Sequence, residues 1–246
     1  MQNLILVAGH AIPYRFDRLD SDDGWFLKHF QAGEGAFYVE HIRRGVELTA
    51  ADPAALLVFA GGQTDRAAGP RSEAQGYWLA ADHYGWFGSP GVRERAAMEE
   101  FSLDSFQNLL FGLCRFREIA GEYPGHVTAV GWSFKGPRFE LHREALGLPA
   151  NRFRYEGVND PPSLADNEKF EVERRAIFAQ DPYGSGPEPT AKRAARNAFQ
   201  RQHGYHKSCP DLAALLDHKG PELYAGPLPW RAVNPARIAA DTGAPS

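Results

Sequence analysis

Side chains able to move protons or hold anions recur at four points of the chain, each at or just after a short apolar run. Gly9 and His10 follow the first run. Gly61, Gly62, Gln63 and Thr64 end the second. Glu99, Asp104, Ser105 and Asn108 lie at and beyond a third, and Ser133, Lys135 and Arg138 follow the fourth. Paired glycines let a backbone approach a ligand and offer N–H groups to phosphate or carboxylate; they serve equally as a sharp strand-to-loop turn. His10 beside carboxylates is a candidate general base or metal ligand. Glu73, one residue after Ser72, either complements the dipole of a helix start or binds a hydroxyl, an amine or a metal. Lys135 and Arg138 flank a helix start and could grip an anion. Asp104 and Asn108 are one helical turn apart and share a face. The expected catalytic groups are therefore His10, Glu73 and Glu99. The expected ligand-binding groups are Gly9, Gly61, Gly62, Gln63, Thr64, Asp104, Ser105, Asn108, Ser133, Lys135 and Arg138, with no metal assigned.

Common motifs do not account for these residues. No G-K-[ST] follows the glycine pair, and there is no G-x-G-x-x-G, so neither a Walker loop nor a dinucleotide fingerprint is present. In "GWSFKG" Phe134 and Lys135 both separate Ser133 from Gly136, which breaks the spacing of a nucleophile elbow.

The elements that would carry these residues alternate. Residues 3–12, 55–62, 95–100, 126–134 and 152–158 read as strands, mostly buried. Helices follow Gly35, Ser72, Asp104 and Pro137 and span 164–180. Ser72 with Gln75 and Asp104 with Gln107 have capping-box spacing, Asp52-Pro53 ends the first helix, and Gly121 closes the third. Alternation predicts an α/β, Rossmann-like, doubly wound and mainly parallel sheet with helices on both faces. Ligands of such sheets sit beyond the carboxyl ends of the strands, where all four groups fall. Residues 1–180 form this expected domain. Residues 181–246 form an extension: a turn-rich linker, a basic segment with Lys192, Arg193, Arg196, Arg201 and Lys207 and no acid among them, and an irregular tail from Gly220. The basic segment is expected to pack near Gly61-Gly62 as a lid that brings Arg196, Arg201 or His203 toward the site.

A net charge of −4 argues against a general nucleic-acid or acidic-membrane binder. Two distant cysteines outside any C-x-x-C pattern argue against a disulfide framework or zinc site. Neither a signal peptide nor a membrane span is apparent, and a cytoplasmic location is expected.

The order "AGG" (60–62), "SEA" (72–74), E-x-x-S-x-D-S-x-x-N (Glu99, Ser102, Asp104, Ser105, Asn108) and "GWSFKGPRF" resembles the YdcF/SanA/ElyC-like proteins, domain of unknown function 218, over roughly residues 3–160. Asp104-Ser105 stands where that family has Asn-Thr, Lys135 where it often has His, and Ala60 precedes the glycine pair. The resemblance implies a Rossmann-like sheet with a nucleotide-type site, and S-adenosylmethionine as a candidate ligand. Three functions follow. One is an enzyme, transferase or hydrolase, acting on a small anionic or nucleotide-type metabolite, with a divalent metal or S-adenosylmethionine as candidate cofactor. The others are an S-adenosylmethionine-binding protein or transferase, and a non-catalytic ligand-sensing or interaction module.

Overall fold

The computed structural model describes residues 1–231. Five strands form one parallel sheet: β1 (Asn3–Ala8), β4 (Ala55–Ala60), β5 (Ala96–Glu99), β6 (His126–Gly131) and β7 (Phe153–Gly157), in the order β5-β4-β1-β6-β7. β2 (Ile12–Pro13) and β3 (Trp25–Phe26) make a small antiparallel pair beside it. β1 is central. Leu4 aligns with Leu56 on one side and with Val127 on the other. The chain winds outward from β1 to β5, then returns to β6 on the far side, so the order reverses between β1 and β6. This is the doubly wound, Rossmann-like fold.

Side-chain alternation in β1 builds the two cores. Ile5 and Val7 pack with Leu57 and Phe59 under α1 (Gly35–Ala51) and α2 (Glu73–His83). Leu4, Leu6 and Ala8 pack with Leu56 and Val58 under α3 (Ser105–Ala120) and α4 (Gly136–Ala145). The helix starts follow the capping chemistry. Ser72 Oγ accepts from the Gln75 amide at 2.9 Å, and Asp104 Oδ1 accepts from the Gln107 amide at 2.9 Å. Gly121, with φ of 79°, takes the left-handed position that ends α3.

Three strands end earlier than the sequence reading has them: β4 stops at Ala60 and β6 at Gly131, where the chain enters a turn. Residues 3–12 are not one strand, since β1 stops at Ala8 and Ile12 starts β2. Gly9 lies so close to Glu73 that a Cβ there would stand 2.7 Å from the Glu73 Cβ and 2.9 Å from the Ala60 carbonyl oxygen. The chain must turn away there.

After α5 (Leu164–Gln180) come α6 (Pro187–Arg196), α7 (Tyr205–Ser208) and α8 (Ala213–Leu216). Tyr183, Tyr205, Cys209, Leu212, Leu215, Leu228 and Trp230 join the α3/α4 core. Tyr183 Oη donates to the Ala145 carbonyl (2.9 Å) and Trp230 Nε1 to the Leu146 carbonyl (2.8 Å). The described part of the extension thus completes the core of the sheet domain. Residues 220–231 contain no helix or strand; the remainder of the expected tail lies outside the described residues.

Gly112 sits in α3 directly over β1, and a Cβ there would stand 2.6 Å from Leu6 Cδ1. Alanine ordinarily stabilises a helix interior relative to glycine. Here Leu6 is fully buried in the sheet core. Gly112→Ala is expected to lower the urea midpoint by the equivalent of about 1–3 kcal/mol, with an unchanged m-value.

Candidate functional site

Where the strand order reverses, the carboxyl ends of β1 and β6 diverge and open a cleft of about 780 Å³. Its floor is the strand ends, with Gly9, His10 and Trp132. Thr64 and Glu73 come from the β4–α2 turn, Asp104, Ser105 and Asn108 from the start of α3, and Lys135 and Arg138 from the start of α4. The far wall comes from α5 (Asn167, Phe170, Glu171, Arg174) and α6 (Lys192, Arg196).

The Glu73 carboxylate is buried beside the β1 and β4 ends. Thr64 Oγ1 donates to its Oε1 in a short hydrogen bond. Burial raises its pKa, opposed by the Thr64 bond and the charges of Arg196 and Lys135. It is a carboxyl that can carry a proton nearer neutral pH than an exposed one.

Across the cleft Lys135 Nζ stands 3.4 Å from His10 Nδ1. Burial, with Arg138 adding to it, brings the Lys135 amine down to about 7. Burial and the charge of Lys135 hold His10 well below its usual value, so it is a neutral acceptor for the lysine. His10 is also fixed through its backbone. Its amide donates to Tyr77 Oη at 3.2 Å, and its carbonyl accepts from Gln31 Nε2 at 2.9 Å. Gln31 also donates to Tyr38, whose hydroxyl donates to Glu34. His10 Nε2 is buried without a hydrogen-bond partner.

Several charges around the cleft are paired. Lys28 meets Asp65 at 2.5 Å, Arg138 meets Glu171 at 3.1 Å, and Arg174 meets Glu188. Asp104 Oδ2 accepts from Arg193 Nε at 2.7 Å. Burial alone would raise the Asp104 pKa, but the charge and bond of Arg193 outweigh it and hold the group below the usual range. Lys135, Lys192 and Arg196 have no carboxylate within ion-pair distance among the described residues. The Arg196 guanidinium donates to the Leu103 carbonyl, at 2.8 Å. Burial, with Arg196 and Arg138 nearby, lowers Lys192 to about 8.

Of the residues expected from the sequence, Gly9, His10, Thr64, Glu73, Asp104, Ser105, Asn108, Lys135 and Arg138 line the cleft. Gly61, Gly62, Gln63, Glu99 and Ser133 do not. The glycine amides are already committed: Gly61 donates to the Glu99 carbonyl (3.0 Å) and Gly62 to the Ser102 carbonyl (2.8 Å). Their smallness makes room for other groups, since a Cβ on Gly61 would stand 2.6 Å from the Glu73 Cβ, and one on Gly62 2.8 Å from the Ser102 oxygen. Gln63 Nε2 donates to the Pro70 carbonyl, and Ser133 Oγ to the Asn159 carbonyl. Glu99 is fully buried beneath the site. It accepts from the Phe101 and Ser102 amides (2.8 and 3.2 Å) and the Tyr205 hydroxyl (3.0 Å), so it joins a loop to the extension.

The basic segment does reach the cleft, through Arg196 and also through Lys192. Arg201 instead lies over the Phe101 ring at 4.5 Å, and His203 packs on Phe111 at 4.6 Å. Sequence reasoning missed Lys192 as a site residue and missed Glu171, Phe30, Phe170 and His142. His142 had a signal in the four-residue spacing from Arg138, which puts both on one face of α4. Among the described residues no group of three His, Cys, Asp or Glu side chains is placed to hold a metal ion. No helix of the described residues is long and apolar enough to cross a membrane.

Removing the Glu99 carboxylate leaves three buried donors without an acceptor. Glu99→Ala is expected to cost about 2–4 kcal/mol in urea unfolding, and Glu99→Gln, which keeps one acceptor oxygen, about 1 kcal/mol or less. Neither should alter ligand affinity of the folded protein more than about twofold, a change under 0.5 kcal/mol.

No family model matches the chain, and no solved structure matches it. The chain is similar to the uncharacterized protein YOR238W of Saccharomyces cerevisiae, 26% identical over 261 residues that cover 82% of this chain and 86% of the yeast protein.

Proposed function

We propose that the protein is an enzyme acting on a small anionic, nucleotide-type metabolite bound at the carboxyl edge of its sheet. The observation that carries this reading is the set of cations without carboxylate partners among the described residues. Lys135, Lys192 and Arg196 face one cleft beside Arg138. Desolvated cations without counterions are costly, and an anion in the cleft would offset that cost.

The rest of the cleft supports the same reading. Phe30 and Phe170 are 53% and 60% exposed, and both line it. Open aromatic faces of this kind suit a planar ring. Glu73, with its raised pKa, supplies a proton donor. Lys135, whose pKa burial lowers to about 7, can exchange its proton near neutral pH beside His10. Two titratable groups with shifted pKa values in one cleft are the arrangement general acid–base catalysis needs. The order of the Gly-Gly, Ser-Glu-Ala and Glu99–Asn108 motifs supports kinship with the YdcF-like proteins.

Sulfate keeps a constant charge across the neutral range, so it isolates the protein's own titration. Lys135 and Lys192 lose protons as pH rises through about 7 and about 8. Cation-dependent binding is therefore strongest below that window. Sulfate affinity, measured by calorimetry, is expected to fall at least about tenfold between about pH 6 and about pH 9. Lys192→Met should weaken sulfate about tenfold at the lower pH, and Lys135→Met should remove the part of the pH dependence centred near 7. Adenosine monophosphate should bind more tightly than sulfate and raise the thermal midpoint. A response to S-adenosylmethionine with none to sulfate, orthophosphate or adenosine monophosphate would replace this reading with the methyl-donor one.

A further inference from the structure

Ser105 is the first residue of α3, directly after its cap Asp104, and is one of the residues that line the cleft. Its Oγ stands 2.8 Å from Nε2 of His142. That histidine is fully buried on α4, walled by the rings of Phe106, Phe139 and Phe178 with centroids 5.7, 5.7 and 4.5 Å away. Its Nδ1 has no hydrogen-bond partner. One turn earlier on the same helix, Arg138 gives Nη2 to Glu171 but leaves its buried Nε unpartnered. A hydroxyl paired with a buried imidazole therefore stands at a cleft that Arg138 also lines.

We infer that Ser105 is a nucleophile that accepts a phosphoryl group, with His142 as its base and Arg138 holding the phosphoryl oxygens. The inference rests on the anion-binding reading of the cleft and names the bond that is broken: the P–O bond of a phosphomonoester.

Three observations separate this from a serine that merely satisfies a core histidine. First, a structural pair would be expected to satisfy both ring nitrogens. A buried nitrogen left without a partner costs free energy, and here two such atoms, His142 Nδ1 and Arg138 Nε, lie one turn apart on α4. Second, the pair is within the reach that proton transfer requires. Third, Ser105 sits at the N-terminus of a sixteen-residue helix. The first amides of a helix have no intrahelical partner, and the helix dipole favours negative charge there.

The step balances as follows. The Ser105 Oγ–H proton passes to His142 Nε2 as the Oγ–P bond forms. The P–O bond to the leaving alcohol breaks, and that oxygen takes the proton from His142. Water then attacks the phosphoserine phosphorus, giving its proton to His142. The P–Oγ bond breaks, orthophosphate leaves, and Ser105 regains its proton. Burial, with the charge of Arg138 adding to it, holds the free His142 imidazole down at about 3, while the Asp104 carboxylate favours the imidazolium; the bound phosphoryl dianion offsets the charge of Arg138 and favours the transient imidazolium further.

The full chain mixed with para-nitrophenyl phosphate, acid-quenched and read by intact mass and peptide mapping, tests this. The expected result is one added phosphoryl group, on Ser105, and release of nitrophenol. Ser105→Ala should remove the adduct and slow release about a thousandfold, and His142→Gln should slow it by about a hundredfold or more, with both chains folded by circular dichroism. A wild-type chain that binds sulfate yet gains no phosphoryl group on Ser105, or a Ser105→Ala chain that releases nitrophenol at the wild-type rate, overturns the nucleophile and leaves the anion site standing. A wild-type chain that does not bind sulfate overturns the anion site as well.

Discussion

The cleft exists in its present form because of one carboxylate. Asp104 accepts the Gln107 amide with one oxygen and Arg193 with the other. The first bond fixes where α3 begins, and so where Ser105 and Asn108 lie. The second fixes α6, and so where Lys192 and Arg196 lie. Arg193 uses its remaining nitrogens on the carbonyls of Gly184 and Tyr183, which folds the turn ahead of α6 onto itself. The pair is largely out of water, with side-chain exposures of 18% and 6%. Losing one partner of such a pair leaves an uncompensated charge and costs several kcal/mol. A helix cap and the attachment of the far wall are thus one interaction.

A second buried carboxylate explains the glycines. Glu73 occupies the space that side chains on Gly9 and Gly61 would fill. The glycines bring two strand ends together around an acid, and their amides are spent on neighbouring carbonyls. Glu73 is then held by Thr64 and has been withdrawn from solvent, which is why its proton is retained more tightly. The cations that line the cleft come from the start of α4 and from α6, and the β4–α2 turn contributes an acid instead.

This division shows what the sequence could reveal. The fold was legible because its signals are local: β4 is an unbroken apolar run, and Asp104 and Gly121 mark both ends of α3. The positions beyond the strands were legible as a set for the same reason. Which of them face the cleft was not, because the residues around a strand end point in different directions. Glu99 closes β5 and lies beneath the site, whereas Asp104, five residues on, lines it. The far wall was harder still. Nothing near Lys192 in sequence shows that α6 folds back over the start of α3, since the bond that places it spans 89 residues. The basic run stood out by composition, but its two halves part company: Lys192 and Arg196 face the cleft, while Arg201 and His203 pack against aromatic rings of the domain.

The charge balance of the cleft bears on why its cations are tolerated. Burial disfavours the charged form of an amine, and neighbouring guanidinium groups disfavour it further; both act on Lys135 and Lys192. A fold selected only for stability would place a carboxylate beside each, as it does for Arg138 and Arg193. Instead Glu171 and Asp104 are each taken by an arginine, and Glu73 and Glu34 are held by hydroxyls. The acids near the lysines are thus occupied elsewhere, leaving the amines to respond to whatever enters. An entering anion would raise the proton affinity of both lysines. Ligand capture and proton uptake would then be linked, because one set of unneutralised charges governs both.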